Sequence, residues 1–305
     1  MYLNTSDTRI PLQPNDIVQI DTGRRFVIDK YIASGGFCLM YLAHQEGSGR
    51  YVALKELYPR QVEDALIQRL DNGRVLIWNP FSEIMGLDDK SLLKEFSHYF
   101  HREVQLTQKA GAVYTRDGQP DQQNNLDVLQ IEGPMTDVRG NMYLAIDTYQ
   151  GESLRDFIER GFVKDTQGTV LSNQFLEEII HILCETSVRL SSLHDNEQMY
   201  HLDLSPDNIY LAFAAGKTRY QPYIIDYGSA FAKTNPNELV EHKYTYNPHS
   251  SPEIYALAET PDPTGFYHAD ESSDTYSLYP FSSMLPPVLF LHRKCGYLAQ
   301  NGKNL

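Results

Sequence analysis

The chain is poor in cysteine: Cys38, Cys184 and Cys295 are all it has in 305 residues. An odd number without paired spacing suggests neither a disulfide framework nor a zinc site. Positive charge is also scarce, with 26 Lys plus Arg against 40 Asp plus Glu and a formal charge of −14. That balance disfavours a nucleic-acid backbone or an anionic membrane as the main partner. No apolar run approaches the roughly 20 residues of a membrane helix. The opening Met1-Tyr2-Leu3-Asn4-Thr5-Ser6-Asp7 lacks the basic and apolar blocks of a secretory signal. A cytoplasmic protein is expected, with no nucleic acid and no membrane among its partners. Internal repeats and low-complexity tracts are missing too, and the length suits one large domain or two lobes.

What is present falls into two parts. Strand signals crowd the first: Phe26-Val27-Ile28, Tyr31-Ile32, Leu39 to Ala43 and Tyr51 to Lys55, with turns at Gly35-Gly36 and Gly47-Ser48-Gly49. Residues Lys90 to Ala110 have helical spacing, Gly111 to Asn125 reads as a loop, and strands return at Val128 to Ile131 and Met142 to Ile146. Beyond Gly151 helices dominate, over Ser153 to Arg160 and Asn173 to His194. The expected architecture is α+β, with a sheet-rich part over 1–150 and a mainly helical part over 151–305. A cleft at such a joint is where a ligand sits.

The chemistry centres on His201-Leu202-Asp203-Leu204-Ser205-Pro206-Asp207-Asn208. An acid and an amide five positions apart can act on one reaction, the carboxylate orienting a hydroxyl while the amide oxygen holds a metal ion beside a phosphate. Upstream lie Ile32-Ala33-Ser34-Gly35-Gly36-Phe37-Cys38, where glycine lets backbone N–H groups approach phosphates, and Val52-Ala53-Leu54-Lys55. Downstream lie Ile224-Ile225-Asp226-Tyr227-Gly228, then Ser251-Pro252-Glu253, then Ser273-Asp274-Thr275-Tyr276-Ser277-Leu278. A further pattern, Ala214-Ala215-Gly216-Lys217-Thr218, lacks the leading glycine of a phosphate loop because that position is Leu211, and it reads as a turn.

In this order the segments resemble the eukaryotic-like (Hanks-type) protein kinases over residues 26 to 280. Glu56-Leu57-Tyr58-Pro59 and the long insertion after it look like bacterial members. The resemblance implies a bilobal fold with an antiparallel-sheet N-lobe and a helical C-lobe, ATP and Mg2+ as cofactors, and transfer of a γ-phosphoryl group to a protein Ser/Thr hydroxyl. Lys55 would hold the phosphates and Glu103 would hold Lys55. Asn208 and Asp226 would hold the metal, and Asp203 would take the hydroxyl proton. Ala33, Gly35, Gly36, Cys38 and Ala53 would surround the nucleotide, with Ile146 as gatekeeper and Asp147 to Tyr149 as hinge. Asp274 would brace the catalytic loop, and Cys38 is expected to be accessible to reagents.

Departures from the family pattern keep two rivals open. Ala33 and Cys38 stand where the outer loop glycines belong, and Ser205 stands where a lysine usually contacts the γ-phosphate. They favour a pseudokinase that binds nucleotide or a partner without useful turnover. A small-molecule kinase would share the acid and metal ligands, although Ser205-Pro206 and Ser251-Pro252-Glu253 argue for the protein-kinase branch. After Glu253 only 52 residues follow, with Arg293 as their sole arginine, which implies a shortened C-terminal lobe. Pro280, Pro286 and Pro287 are expected to interrupt the helix starting near Asp274. Val288 to Leu291 would then pack on the helix of Phe175 to Leu190 or on a partner chain.

Leu202 replaces the arginine that in many kinases pairs with a phosphate on the activation segment. Activity is therefore expected not to require phosphorylation at Thr234, Tyr244, Thr245 or Tyr246. Phosphatase treatment should leave the rate unchanged; loss of activity, restored by rephosphorylation at one of these sites, would contradict this.

Overall fold

The two-residue period of the strand Tyr51–Leu57 explains much of the first half of the chain: Val52, Leu54 and Glu56 face one side of a sheet, Ala53 and Lys55 the other, and both sides are buried from Leu54 onward. In the computed structural model, the described residues are 7–60, 66–78, 90–114, 130–148, 151–161, 163–165, 168–170, 172–212, 219–234, 240–241, 249–252, 266–267 and 270–283. The chain forms two compact units, one of Met1–Gln105 with Gln130–Thr148, the other of Leu106–Leu129 with Tyr149–Leu305. Sequence patterning places a single boundary at 150 and does not separate residues 106–129.

The first unit is built on strands β1 (Ile17–Gln19), β2 (Arg25–Ser34), β3 (Cys38–Gln45) and β4 (Tyr51–Leu57). A hairpin of β5 (Leu66–Arg69) and β6 (Val75–Trp78) follows, then helix α1 (Lys90–Tyr114), whose residues from Leu106 onward belong to the second unit, and then β7 (Ile131–Thr136) and β8 (Met142–Asp147). Its antiparallel sheet runs β1-β2-β3-β4-β8-β7. Val18, Phe26, Ile28, Tyr41, Val52, Leu54 and Tyr143 form its core, onto which Phe100 and Val104 of α1 pack. Two details depart from expectation. The helix continues past Ala110 to Tyr114, and the insertion after β4 holds the β5–β6 hairpin.

That hairpin is fastened from beneath. Glu56, fully buried, takes the guanidinium of Arg69 on both carboxylate oxygens, at 3.0 and 2.6 Å, and accepts from the phenols of Tyr41 and Tyr143 at 2.8 and 2.9 Å. Burial first, and the Glu56 carboxylate second, push both phenols above their usual range. Asn141 adds a second fastening, donating to Gly73 O and accepting from Val75 N.

The second unit opens with β9 (Gly151–Ser153), α2 (Leu154–Gly161), the pair β10 (Val163–Asp165) and β11 (Gly168–Val170), and helix α3 (Asn173–Glu197). Ser172 caps α3 by accepting from Phe175 N, and Gln198 ends it in the left-handed region. Next come β12 (Met199–Tyr200), a single 3-10 turn at Pro206–Asn208, β13 (Ile209–Ala212), β14 (Gln221–Ile224) and β15 (Phe231–Ala232). A short β16–β17 pair (Val240–Glu241 with Phe266–Tyr267) and helix α4 (Glu271–Ser283) complete it. Strands β9, β13 and β14 form one sheet, and Gly151 is required there, because a Cβ would strike the carbonyl oxygen of Leu211. Leu106, Ala110, Ile179, Ile182, Leu190, Leu204, Ile209 and Ile224 share the core. Helix α4 runs through Pro280 to Ser283 instead of stopping there, so one missing amide donor does not end it. Residues 284–305, including Pro286, Pro287, Val288 to Leu291 and Arg293, lie outside the described residues, as do Tyr149, Tyr244 to Tyr246 and Glu253. No helix among the described residues is long and apolar enough to cross a membrane.

Because Glu56 is dry, removing its cation leaves a buried charge unpaired. Arg69→Ala should destabilise by about 3–5 kcal/mol in urea unfolding, and Arg69→Met combined with Glu56→Leu by much less. Equal losses in the two would show that the pair is not what fixes this core.

Candidate functional site

In the first unit, strand β4 aims Lys55 away from the face that carries Glu56, and α1 brings Glu103 to meet it. The Lys55 ammonium lies 2.9 Å from each Glu103 carboxylate oxygen, and the two side chains are 9% and 4% exposed. A cation held this way is stiff and keeps its charge close to one spot.

The Gly-rich turn joins β2 to β3. Ala33, Gly35 and Gly36 are exposed, but Cys38 is buried, which corrects the expectation that its thiol is accessible. It forms no disulfide. A Cβ on Gly35 would meet nothing within 4 Å, and the residue is not in the left-handed region, so the fold itself does not demand glycine there. What the missing side chain leaves is room beside the backbone, the kind of cradle a phosphate needs. Ala53 is half-buried and pairs with Ile146 across β4 and β8, as Val52 does with Asp147. The Asp147 N–H donates to Gln130 O at 2.9 Å and its carboxylate binds Arg50.

In the second unit, one loop brings Asp203, Asn208 and the strand before Asp226 together. The Asn208 side-chain nitrogen donates to Asp203 O at 2.7 Å, which turns its amide oxygen the other way. The Asn208 carbonyl accepts from Ile225 N at 3.0 Å, keying the loop to the residue before Asp226. His201 completes the tie, with Nε2 3.0 Å from Ile225 O. A carbonyl only accepts, so Nε2 carries the proton. The His201 ring also meets the Tyr227 ring edge-on, 5.2 Å between centroids. Leu202 and Asp226 both take φ of 62°, a left-handed backbone unusual for such side chains and worth about 1–3 kcal/mol of strain each.

Asp274 of α4 holds the strained loop in place. Fully buried, it accepts from His201 N at 2.7 Å and Leu202 N at 2.8 Å, and its carboxylate lies 2.9 Å from His194 Nε2. Ser205 is 7% exposed. Asp207 is exposed and pairs with Arg155 at 2.7 Å. No local pattern signals the links made by His194, Arg155 or the Ile225 backbone, because each depends on residues far apart in the chain.

The donor set suits the cofactors that the motifs suggest. Mg2+ is bound through one or two protein oxygens with substrate phosphates and waters completing its shell, and Asp226 with the outward amide oxygen of Asn208 is such a set. Lys55 and the open turn at Gly35 suit phosphate.

No family model matches the chain, and no curated protein matches it in sequence. Among solved structures 1718 chains match. One is the crystal structure of the kinase domain of PF14_0431, with a TM-score of 0.50 and 16% identity, covering 88% of this chain and 65% of that domain. The chain has a protein-kinase-like fold and spans about two thirds of that domain's length.

Asp274→Asn keeps the shape but replaces one acceptor by a donor facing backbone N–H groups. It should cost about 2–4 kcal/mol of stability in denaturant unfolding. An unchanged midpoint would mean that the loop holds its strained form without the carboxylate.

Proposed function

We propose that the chain is an ATP- and Mg2+-dependent protein kinase that phosphorylates a Ser/Thr hydroxyl. The observation that carries this reading is the set of Asn208 hydrogen bonds. They fix Asp203, spend the amide nitrogen, and leave the amide oxygen on a loop keyed to Asp226. When bound, ATP supplies the phosphoryl group and Mg2+ neutralises its charge. The protein's own contribution is positioning. Lys55, steadied by Glu103, attracts phosphate oxygens; the turn at Gly35 and Gly36 admits them; Asp226 and Asn208 offer oxygens to the metal. Asp203, half-buried, orients the acceptor hydroxyl and takes its proton. Ile146, Asp147 and Tyr149 border the adenine, and Ala33, Cys38 and Ala53 shape its surroundings.

Ser205 favours a second reading, that of a pseudokinase. It is buried and uncharged, so it cannot replace a lysine on the γ-phosphate. Binding would then outlast turnover. A cytoplasmic setting, and a partner chain covering Val288 to Leu291, remain part of the proposal.

Mg-ATP should raise the thermal midpoint of the wild type. Asp226→Ala should weaken nucleotide binding at least about tenfold, while Asp203→Ala leaves it nearly intact. Phosphate transfer to a mixed protein acceptor should fall roughly a hundredfold or more in Asp203→Asn. Binding without any transfer in the wild type selects the pseudokinase, transfer only to metabolites selects a small-molecule kinase, and no binding at all refutes the proposal.

A further inference from the structure

The residues before β1 fold back onto the Gly-rich turn, and Arg9 makes the connection. Its side chain is 3% exposed. Nη1 donates to Tyr58 O at 2.5 Å and to Cys38 O at 3.3 Å, while Nη2 donates to Gly35 O at 2.8 Å. Asp7 steadies the guanidinium, accepting from Nε at 2.8 Å and from Nη2 at 2.6 Å. The Arg9 bonds hold the Asp7 carboxyl well below the usual carboxylate range. One planar group thus grips both ends of the turn and the residue that follows β4 by one position.

The backbone finishes the grip. Gly36 O accepts from Arg60 N at 2.8 Å, Phe37 O from Tyr58 N at 3.0 Å, and Cys38 O from Gly35 N at 2.9 Å. Every carbonyl from Gly35 to Cys38 therefore points at a donor within the protein. In a planar trans peptide the next N–H points opposite to each carbonyl. Fixing the carbonyl of Gly35 consequently fixes the direction of the Gly36 amide, and a phosphate is recognised by such amides. Gly35 and Gly36 leave the backbone of the turn locally free, and an outside clamp supplies the definition that the local sequence does not.

We propose that Arg9 is a positioning residue that sets the phosphate-binding turn, so that the segment ahead of the sheet tunes nucleotide affinity. The inference rests on the kinase reading above. Arg9 touches no reacting atom; it acts through the carbonyls of Gly35 and Cys38. Lysine cannot substitute, because a single ammonium cannot span those carbonyls in the plane of a guanidinium fork.

Cys38 supplies a probe inside the turn itself, because a buried thiol reacts only when its surroundings open. The test compares wild type, Arg9→Lys and Arg9→Ala as full-length chains. Alkylation of Cys38 is followed by peptide mapping, alongside the thermal midpoint and Mg-ATP affinity. In Arg9→Lys, alkylation of Cys38 should accelerate roughly tenfold or more and Mg-ATP affinity fall by about as much. The Lys55→Ala variant should lose affinity without any change at Cys38. Alkylation in both Arg9 variants within about twofold of wild type would overturn the clamp. So would a rise in alkylation no larger than the fall in global stability accounts for, since that marks a merely structural residue. If the wild type binds no Mg-ATP, the kinase reading fails, while the alkylation rates still decide whether Arg9 sets the turn.

Discussion

A single carboxylate without exposure to water organises the functional part of the second unit. Asp274 accepts from two consecutive backbone N–H groups, those of His201 and Leu202, and from the His194 ring. Charge-assisted bonds of this kind can outweigh a strained backbone, and the strain is present: Leu202 sits at positive φ, a cost of about 1–3 kcal/mol. Release the carboxylate and Leu202 has no reason to stay there. Asp203 would then lose its direction, and with it would go the bond to Asn208 and the tie from Asn208 to Ile225. The Asp226 turn, itself strained, is held through the same links by His201 and Ile225. Asp203 is half-buried and open in part to solvent, whereas the acid that places its loop is dry.

The first unit solves a different problem with the same means. Lys55 and Glu56 are neighbours in sequence but face opposite sides of β4, so one strand serves a functional pair and a structural one. On one side a lysine meets Glu103; on the other a glutamate meets Arg69 and two tyrosines. Both pairs are buried, and a buried pair is costly to break. The insertion after β4 is thereby bound to the strand that carries Lys55. Stability of that hairpin and placement of Lys55 share a single piece of backbone.

Much of this was legible in the sequence because it is local or periodic. Alternation gave β2, β3, β4 and β8, helical spacing gave α1 to α3, and the loop from His201 to Asn208 announced an acid and an amide at a spacing that chemistry uses. What escaped was set by distance along the chain. Arg9 grips carbonyls, which leave no mark on side-chain identity, and it does so across 26 to 49 residues. The β5–β6 hairpin contains only four residues per strand, too few for a pattern to emerge, and its anchors are Glu56 and Asn141. Pro280 misled because one lost amide was weighed as if α4 depended on it. Cys38 misled because its place beside a turn suggested exposure, while it opens β3 opposite Leu57, on the face of Met40 and Leu42, and is buried there in the core of the first unit.

The substitutions that set this chain apart affect side chains more than the backbone that positions them. Leu202 lacks a charge, yet its N–H still bonds Asp274 at 2.8 Å and its side chain is buried. The backbone bond that places Asp203 is thus independent of the side chain that residue 202 carries. Ser205 likewise leaves the loop shape intact, since the turn from Pro206 to Asn208 begins beside it and Asn208 N still donates to Ser205 O. On the proposed function it would remove charge near a transferred phosphoryl group, where electrostatic stabilisation is the main source of rate. Placement and charge are therefore separable here: the loop from His201 to Asn208 keeps its hydrogen-bonded shape although neither Leu202 nor Ser205 brings a charge to it.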